Sequence, residues 1–262
     1  MGDILDQIIK VKKQEVERLK QFKRLERETR KKQSFIQWLA QAEFVSIIAE
    51  FKRASPSKGL INGDLNPKTQ AMNYVQGGAD VISVLTDNDF FKGSFEDLKQ
   101  VREGVQTPVL CKDFIVDPIQ IDVAEESGAD LILLIAAALD DESLHELYEY
   151  ALSKELEVLI EVHNEEEAER ALRTGNPLIG VNNRNLKTFE VDLGTTERLA
   201  PMIKSAGRYL ISESGMKSIE DVERVVAVGA NGILVGETFM KHPNLQQAFL
   251  EMKIPLKEVT SK

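Results

Sequence analysis

The sequence predicts an α/β protein, a (β/α)8 TIM barrel. Residues 1–262 form a single domain, of which 1–44 is an N-terminal helical extension. Three observations predict this. First, short apolar runs begin near Val45, Asp80, Pro108, Asp130, Glu157, Pro177, Tyr209 and Gly232. They alternate with helical patterns near 67–77, 94–104, 118–127, 140–154, 164–174, 193–204, 218–228 and 243–252. A parallel strand covered on both faces reads as such an unbroken apolar run, and eight right-handed strand–helix units of this length close into a barrel. Second, a joint signature recurs just before strands: Gly78-Ala79-Asp80, Gly128-Ala129-Asp130 and Gly229-Ala230-Asn231, with Gly175-Asn176-Pro177 as a looser version. Glycine there suits a helix C-cap. Third, no Gly-x-Gly-x-x-Gly follows the first strand, which counts against the alternative, a doubly wound open sheet. Glycine motifs suited to phosphate follow strands seven and eight instead.

The elements follow in order. Residues 3–22 predict an amphipathic helix with Ile4, Leu5, Ile8, Val11, Glu15 and Leu19 at helical spacing and Lys and Glu elsewhere. Residues 23–33 are almost continuously charged and are expected to face solvent. Ser34-Phe35-Ile36-Gln37 has the capping-box pattern and opens a second short helix through Trp38 and Leu39. Among the later helices, Asp117-Pro118 and Asp140-Asp141 are start signals. No low-complexity segment or linker interrupts the alternation.

Composition narrows the function classes. Hydrophobic residues make up 42% of the chain, enough for a sizeable core. The longest apolar stretch, Leu131 to Leu139, falls far short of the roughly 18 residues of a membrane span. The start of the chain has neither the basic-then-apolar pattern of a secretory signal nor, at Asp6, the Ser/Thr of a myristoylation signal. A single cysteine, Cys111, precludes an internal disulfide, and a cytoplasmic location is expected. The net charge of -10 argues against nucleic-acid partners. Yet Lys52, Arg53, Lys58, Lys112 and Arg184 lie beside strand ends, a pattern suited to a small anionic ligand. None of the three histidines has metal-ligand spacing, so no metal is expected. No stripe stands out as an interface; the chain is read as a monomer, with a dimer as the alternative.

Candidate chemistry lies where apolar runs end on charged or amide side chains. Such a group at the end of a buried strand must be paired or do chemistry. The first strand ends in Glu50 and Lys52, two apart and so on one side of it. The third ends in Lys112, the fifth in Glu161, the sixth in Asn182 and the seventh in Glu213. If a barrel brings these ends to one face, they outline a general acid/base site. Lys112 suits protonating a carbonyl, forming a Schiff base or holding a carboxylate; the plainer alternative is an ion pair with Asp113 or a strand-end glutamate. Glu161 suits a general base, or a partner for Lys112. The loop from Arg53 to Gly59 suits a flap in which Ser55 and Lys52 touch an anion, whereas Arg53 and Lys58 are expected to be solvated. Asn182 and Arg184 suit hydroxyl and oxyanion contacts, or an Asn-rich turn. Glu213-Ser214-Gly215 and Gly236-Glu237 offer backbone N–H groups to an anion. Phe91, Phe114 and Leu234 suit the walls of an aromatic pocket, or ordinary core. His163 is either a neighbour of the site or a loop residue.

The motifs together resemble the indole-3-glycerol phosphate synthase family over nearly the whole chain. They are Ala49-Glu50-Phe51-Lys52-Arg53-Ala54-Ser55-Pro56-Ser57, Ser83-Val84-Leu85-Thr86-Asp87, Phe90-Phe91-Lys92-Gly93-Ser94, Leu110-Cys111-Lys112-Asp113-Phe114, Ile160-Glu161-Val162-His163, Gly180-Val181-Asn182-Asn183-Arg184-Asn185-Leu186, Ser212-Glu213-Ser214-Gly215 and Val235-Gly236-Glu237. The resemblance implies a phosphorylated, anthranilate-derived substrate, 1-(2-carboxyphenylamino)-1-deoxyribulose 5-phosphate. It would be closed to an indole with loss of CO2 and water, in tryptophan biosynthesis, without a cofactor. It also implies roles: Lys112 as general acid, Glu161 as general base, and Lys52 as second acid and carboxylate contact. Glu50 would orient Lys52, and Asn182 and Glu213 would hold sugar-derived hydroxyls. Gly215, Gly236 and Glu237 would donate to the phosphate, and Phe114 and Leu234 would line the aryl pocket. The N-terminal helices resemble that family's extension, which packs near the catalytic face. On the residues alone, a Schiff-base aldolase, a phosphosugar isomerase and a non-catalytic binding barrel stand as alternatives.

Overall fold

The structure, a computed structural model, describes residues 4–21 and 30–256. The eight barrel strands are β1 (Ser46–Phe51), β2 (Val81–Leu85), β3 (Val109–Lys112), β4 (Leu131–Ile135), β5 (Glu157–Val162), β6 (Leu178–Asn182), β7 (Tyr209–Glu213) and β8 (Gly232–Val235). Each pairs in parallel with its chain neighbours, and β8 returns to β1, closing the ring. Around it lie α3 (Pro67–Gly77), α4 (Phe95–Gly104), α5 (Pro118–Glu126), α6 (Asp141–Ser153), α7 (Glu165–Arg173), α8 (Gly194–Ser205), α9 (Ile219–Ala227) and α11 (Leu245–Met252). A short helix, α10 (Glu237–Lys241), follows β8 directly. The loop after β1 carries a small antiparallel hairpin, Ala54–Ser55 against Gly59–Leu60.

Successive strand side chains alternate in direction, and here they divide into two cores. Ile47, Ala49, Ile82, Val84, Cys111, Leu134, Ile160, Val181 and Ile233 point outward and pack under the helices. Ile48, Val81, Leu110, Leu131, Leu133, Leu159, Leu178, Ile211 and Leu234 fill the barrel interior. The residues two positions beyond five of the inward ones are Glu50, Lys112, Glu161, Glu213 and Gly236. The alternation that packs the interior therefore also aims the charged strand ends up the barrel axis.

The joint signature has a physical explanation. Gly78, Gly128 and Gly229 all take positive φ, which glycine adopts without a side-chain clash. The residue two positions later bonds to the neighbouring strand. Asp80 accepts from the Ile47 N–H (2.8 Å), Asp130 from the Val109 N–H (2.9 Å) and Asn231 from the Leu210 N–H (3.0 Å). At the looser joint, Asn176 donates to the carbonyls of Val158 and Leu178. These clamps fix strand register at the end of the barrel opposite the site.

The extension divides between the two ends of the barrel. α1 (Ile4–Leu19) lies over the C-terminal mouth, as the resemblance implies. α2 (Phe35–Leu39) does not: it seals the opposite end, where Phe35 and Leu39 join Val81, Leu131 and Leu178 in the inner core. Burying Phe35 there is worth about 1.5–3 kcal/mol. Ser34 caps this helix by accepting from the Gln37 N–H. The reciprocal carboxylate is Glu157 at the start of β5, which accepts from the N–H groups of Phe35 (2.9 Å) and Ile36 (3.1 Å). The charged stretch read as solvent-facing lies outside the described residues from 23 to 29. Beyond it, Arg30 pairs with buried Asp130 (2.8 Å) and Lys32 with Glu125 (2.9 Å), because the strand-end clamp needs a counter-charge. Among the described residues, no helix is long and apolar enough to cross a membrane.

Candidate active site

The C-terminal ends of the strands surround a cavity of about 700 Å³. Lys112 forms its floor, with 13% of its side chain exposed, enough to meet a ligand. Its ammonium lies 3.1 Å from Glu161 and makes a second, shorter ion pair with Glu213. Asp113 is not its partner; that carboxylate turns away to pair with Lys12 of α1. Burial disfavours the Lys112 charge, but Glu213, Glu161 and Glu50 more than offset this and raise its pKa. Lys112 therefore carries its proton at neutral pH.

The two glutamates flanking it differ. Burial opposes ionisation of both. Glu161 is nevertheless held well below the usual carboxylate range by Lys112, His163 and Asn182, the last donating an amide N–H at 3.0 Å. Glu213 has one buried oxygen without a hydrogen-bond partner. Burial and the nearby Glu161 outweigh Lys112 there and push its pKa up to about 7. Glu161 thus holds the negative charge, while Glu213 takes up a proton near neutrality.

His163 belongs to the site's surroundings. Its ring lies 3.3 Å from Glu161 and 3.0 Å from Glu167. Burial opposes its charge, but the two carboxylates raise its pKa from 6.5 to about 10. A histidine pKa raised on folding contributes stability that is complete below the unfolded value and is lost as pH rises through the folded one. Stability measured by denaturant unfolding is expected to decline between pH 6.5 and 10, and His163→Asn should flatten that decline.

Two glycines make room for the carboxylates. A Cβ on Gly180 in β6 would lie 2.1 Å from a Glu213 oxygen, and one on Gly236 would lie 2.4 Å from a Glu50 oxygen and 3.3 Å from the Lys52 ammonium. Glu50 is buried and ion-paired with Lys52, so a methyl group at 236 must displace that pair. Gly236→Ala is expected to lower kcat/KM by about ten- to a hundredfold with little loss of melting temperature; kinetics and a thermal melt check both.

The remaining candidates line the same cavity: Ser55, Phe91, Phe114, Arg184, Ser214, Gly215, Leu234 and Glu237, with Asn182 at the end of β6. The Phe91 and Phe114 rings pack 5.9 Å apart. Arg184 donates to the Phe189 carbonyl (3.0 Å), and its backbone N–H to the Asn182 side chain (3.0 Å). Ser214 and Gly215 both take positive φ. The Glu237 carboxylate pairs with Lys241 (2.8 Å), which leaves its backbone N–H as the group suited to an anion. Lys58 is half exposed but lines the cavity, 3.9 Å from the Glu237 carboxylate, and Arg53 is not solvated. It pairs with Asp97 (2.5 Å) and lies over the Phe51 ring, because the hairpin folds it back onto α4.

Two supports stand in the motif Gly180-Val181-Asn182-Asn183-Arg184-Asn185-Leu186 without a role of their own in the sequence reading. Asn183, buried behind Asn182, donates to Ser212, to the Glu213 carbonyl and to the Ser214 carbonyl, and accepts from Thr196. It ties the ends of β6 and β7 together. Gly180 opens that motif, and a glycine inside a strand is a known mark of close approach.

A family profile described as "Indole-3-glycerol phosphate synthase" matches residues 5–252. A protein of that name from Oceanobacillus iheyensis is 54% identical over 225 residues, 86% of each chain. Others from Bacillus cereus and Bacillus mycoides are each 50% identical over 254 residues, 97% of this chain and 99% of theirs. The chain therefore belongs to the indole-3-glycerol phosphate synthase family.

Proposed function

We propose that the chain converts 1-(2-carboxyphenylamino)-1-deoxyribulose 5-phosphate to indole-3-glycerol phosphate, with loss of CO2 and water, as a carboxy-lyase of tryptophan biosynthesis in the cytoplasm. The observation that carries the proposal is Lys112: an ammonium open to the cavity yet bridged by two carboxylates of different basicity.

The aryl carbon that bears the carboxylate attacks the ketone, and Lys112 gives its proton to the carbonyl oxygen. CO2 then leaves, its bonding electrons returning to the ring. Lys52 protonates the new hydroxyl, which departs as water, and Glu161 removes a proton from the adjacent methylene carbon to complete the indole. Glu50 holds Lys52, which also faces the substrate carboxylate. Asn182 and Glu213 hold the hydroxyls, and Arg184 and Ser55 contact anionic oxygens. The N–H groups of Gly215, Gly236 and Glu237, beside Ser214, receive the phosphate. Phe91, Phe114 and Leu234 enclose the aryl ring. Donors and acids placed before charge develops are the main source of such catalysis. A Schiff-base role for Lys112 is disfavoured because its raised pKa keeps the amine from being free.

Incubating the protein with the carboxyphenylamino-deoxyribulose phosphate should produce a rise in indole fluorescence. No rise, or a lysine adduct trapped by borohydride, would refute the proposal.

A further inference from the structure

α1 buries a charge that the reaction above does not use. Its inward stripe is Ile8, Lys12 and Val16, and the Lys12 side chain is fully buried. The Lys12 ammonium lies 2.7 Å from Asp113, 3.1 Å from Asp87 and 2.9 Å from Glu15. Asp87 and Asp113 follow β2 and β3, and each is 1% exposed.

Both aspartates also shape the loops that carry them. Asp87 accepts from the N–H groups of Phe90 (2.7 Å) and Phe91 (3.1 Å). Asp113 accepts from the Phe114 N–H (2.8 Å) and the Thr86 hydroxyl (2.6 Å). One ammonium thus joins the two turns that present Phe91 and Phe114 to the cavity. The same helix places Ile4, Leu5 and Ile8 on that cavity. A buried ion pair is weak evidence for stability, since apolar side chains of similar size often serve as well. What an ion pair adds is a fixed partner and a fixed register for α1.

We propose that Lys12 is a positioning residue for this enzyme. By locking α1 to the turns after β2 and β3, it sets the apolar wall that receives the substrate's aryl ring. The proposal rests on the reaction assigned above.

The test uses the full chain. Lys12→Met is expected to raise KM about tenfold while kcat stays within about threefold, because Lys112 is held separately by Glu161 and Glu213. A merely structural loss would reduce the folded fraction, lowering kcat and leaving KM unchanged. Lys12→Arg, which keeps the charge, should recover most of the KM. Hydrogen exchange should speed up in α1 and at Phe91 and Phe114, but not in the barrel strands. If Lys12→Met does not fold, Lys12→Met/Asp87→Asn, which removes one buried charge of each sign, takes its place in the same measurements. An unchanged KM in the folded variant overturns the proposal. If the wild-type protein does not turn over the substrate, the reaction assignment fails instead, and unchanged exchange in α1 then overturns the role of Lys12 independently.

Discussion

Lys112→Ala is expected to lose about 10³- to 10⁴-fold of kcat while still binding the substrate. The loss follows from position. Lys112 is the protonated group at the cavity floor, and the proposed ring closure cannot neutralise its developing alkoxide without a donor there. Binding should survive because the proposed phosphate donors lie on the loops after β7 and β8 and do not depend on Lys112. The variant should also fold. Removing the cation leaves Glu161 and Glu213 facing each other, but Glu213, already pushed up to about 7, takes a proton and relieves the repulsion. Steady-state kinetics and a calorimetric titration check both parts. Turnover within tenfold of wild type would remove Lys112 from the acid role.

Glu161→Gln should have the second-largest effect, about 10²- to 10⁴-fold in kcat, and its character should differ. The amide keeps an oxygen for Asn182 but cannot accept a proton. If Glu161 acts after decarboxylation, the variant should release CO2 faster than it forms indole, and the two signals should separate in a single turnover. Equal slowing of both would move the role of Glu161 to an earlier step. A normal rate would end its assignment as base.

Much of this site was legible in the sequence because charge inside an apolar run is costly and so must have a reason. Glu50, Lys112, Glu161 and Glu213 each follow an inward apolar residue by two positions, and barrel closure alone then converges them. The family motifs add what periodicity cannot, the division of labour proposed here among otherwise equivalent charges. Lys12 was illegible for the opposite reason. A lysine in a helix full of Lys and Glu reads as a solvated face, and its partners Asp87 and Asp113 are distant in sequence. Arg53 reads as solvated for the same reason, since nothing in its polar loop announces the salt bridge to Asp97. The resemblance groups the two helices of the extension at one face, but their destinations depend on which end of the barrel offers Phe35 an apolar plug site. Gly180 looks like a weak point in β6, and Gly236 only like a phosphate-loop glycine after β8, until the carboxylates beside them are placed.

The most direct test of the account supplies the wild-type protein with substrate labelled in its carboxyl carbon and records CO2 release and indole formation together. The predicted result is one CO2 for each indole at the same steady rate. Indole-free consumption of the substrate, or a phosphosugar product that keeps its label, would contradict it.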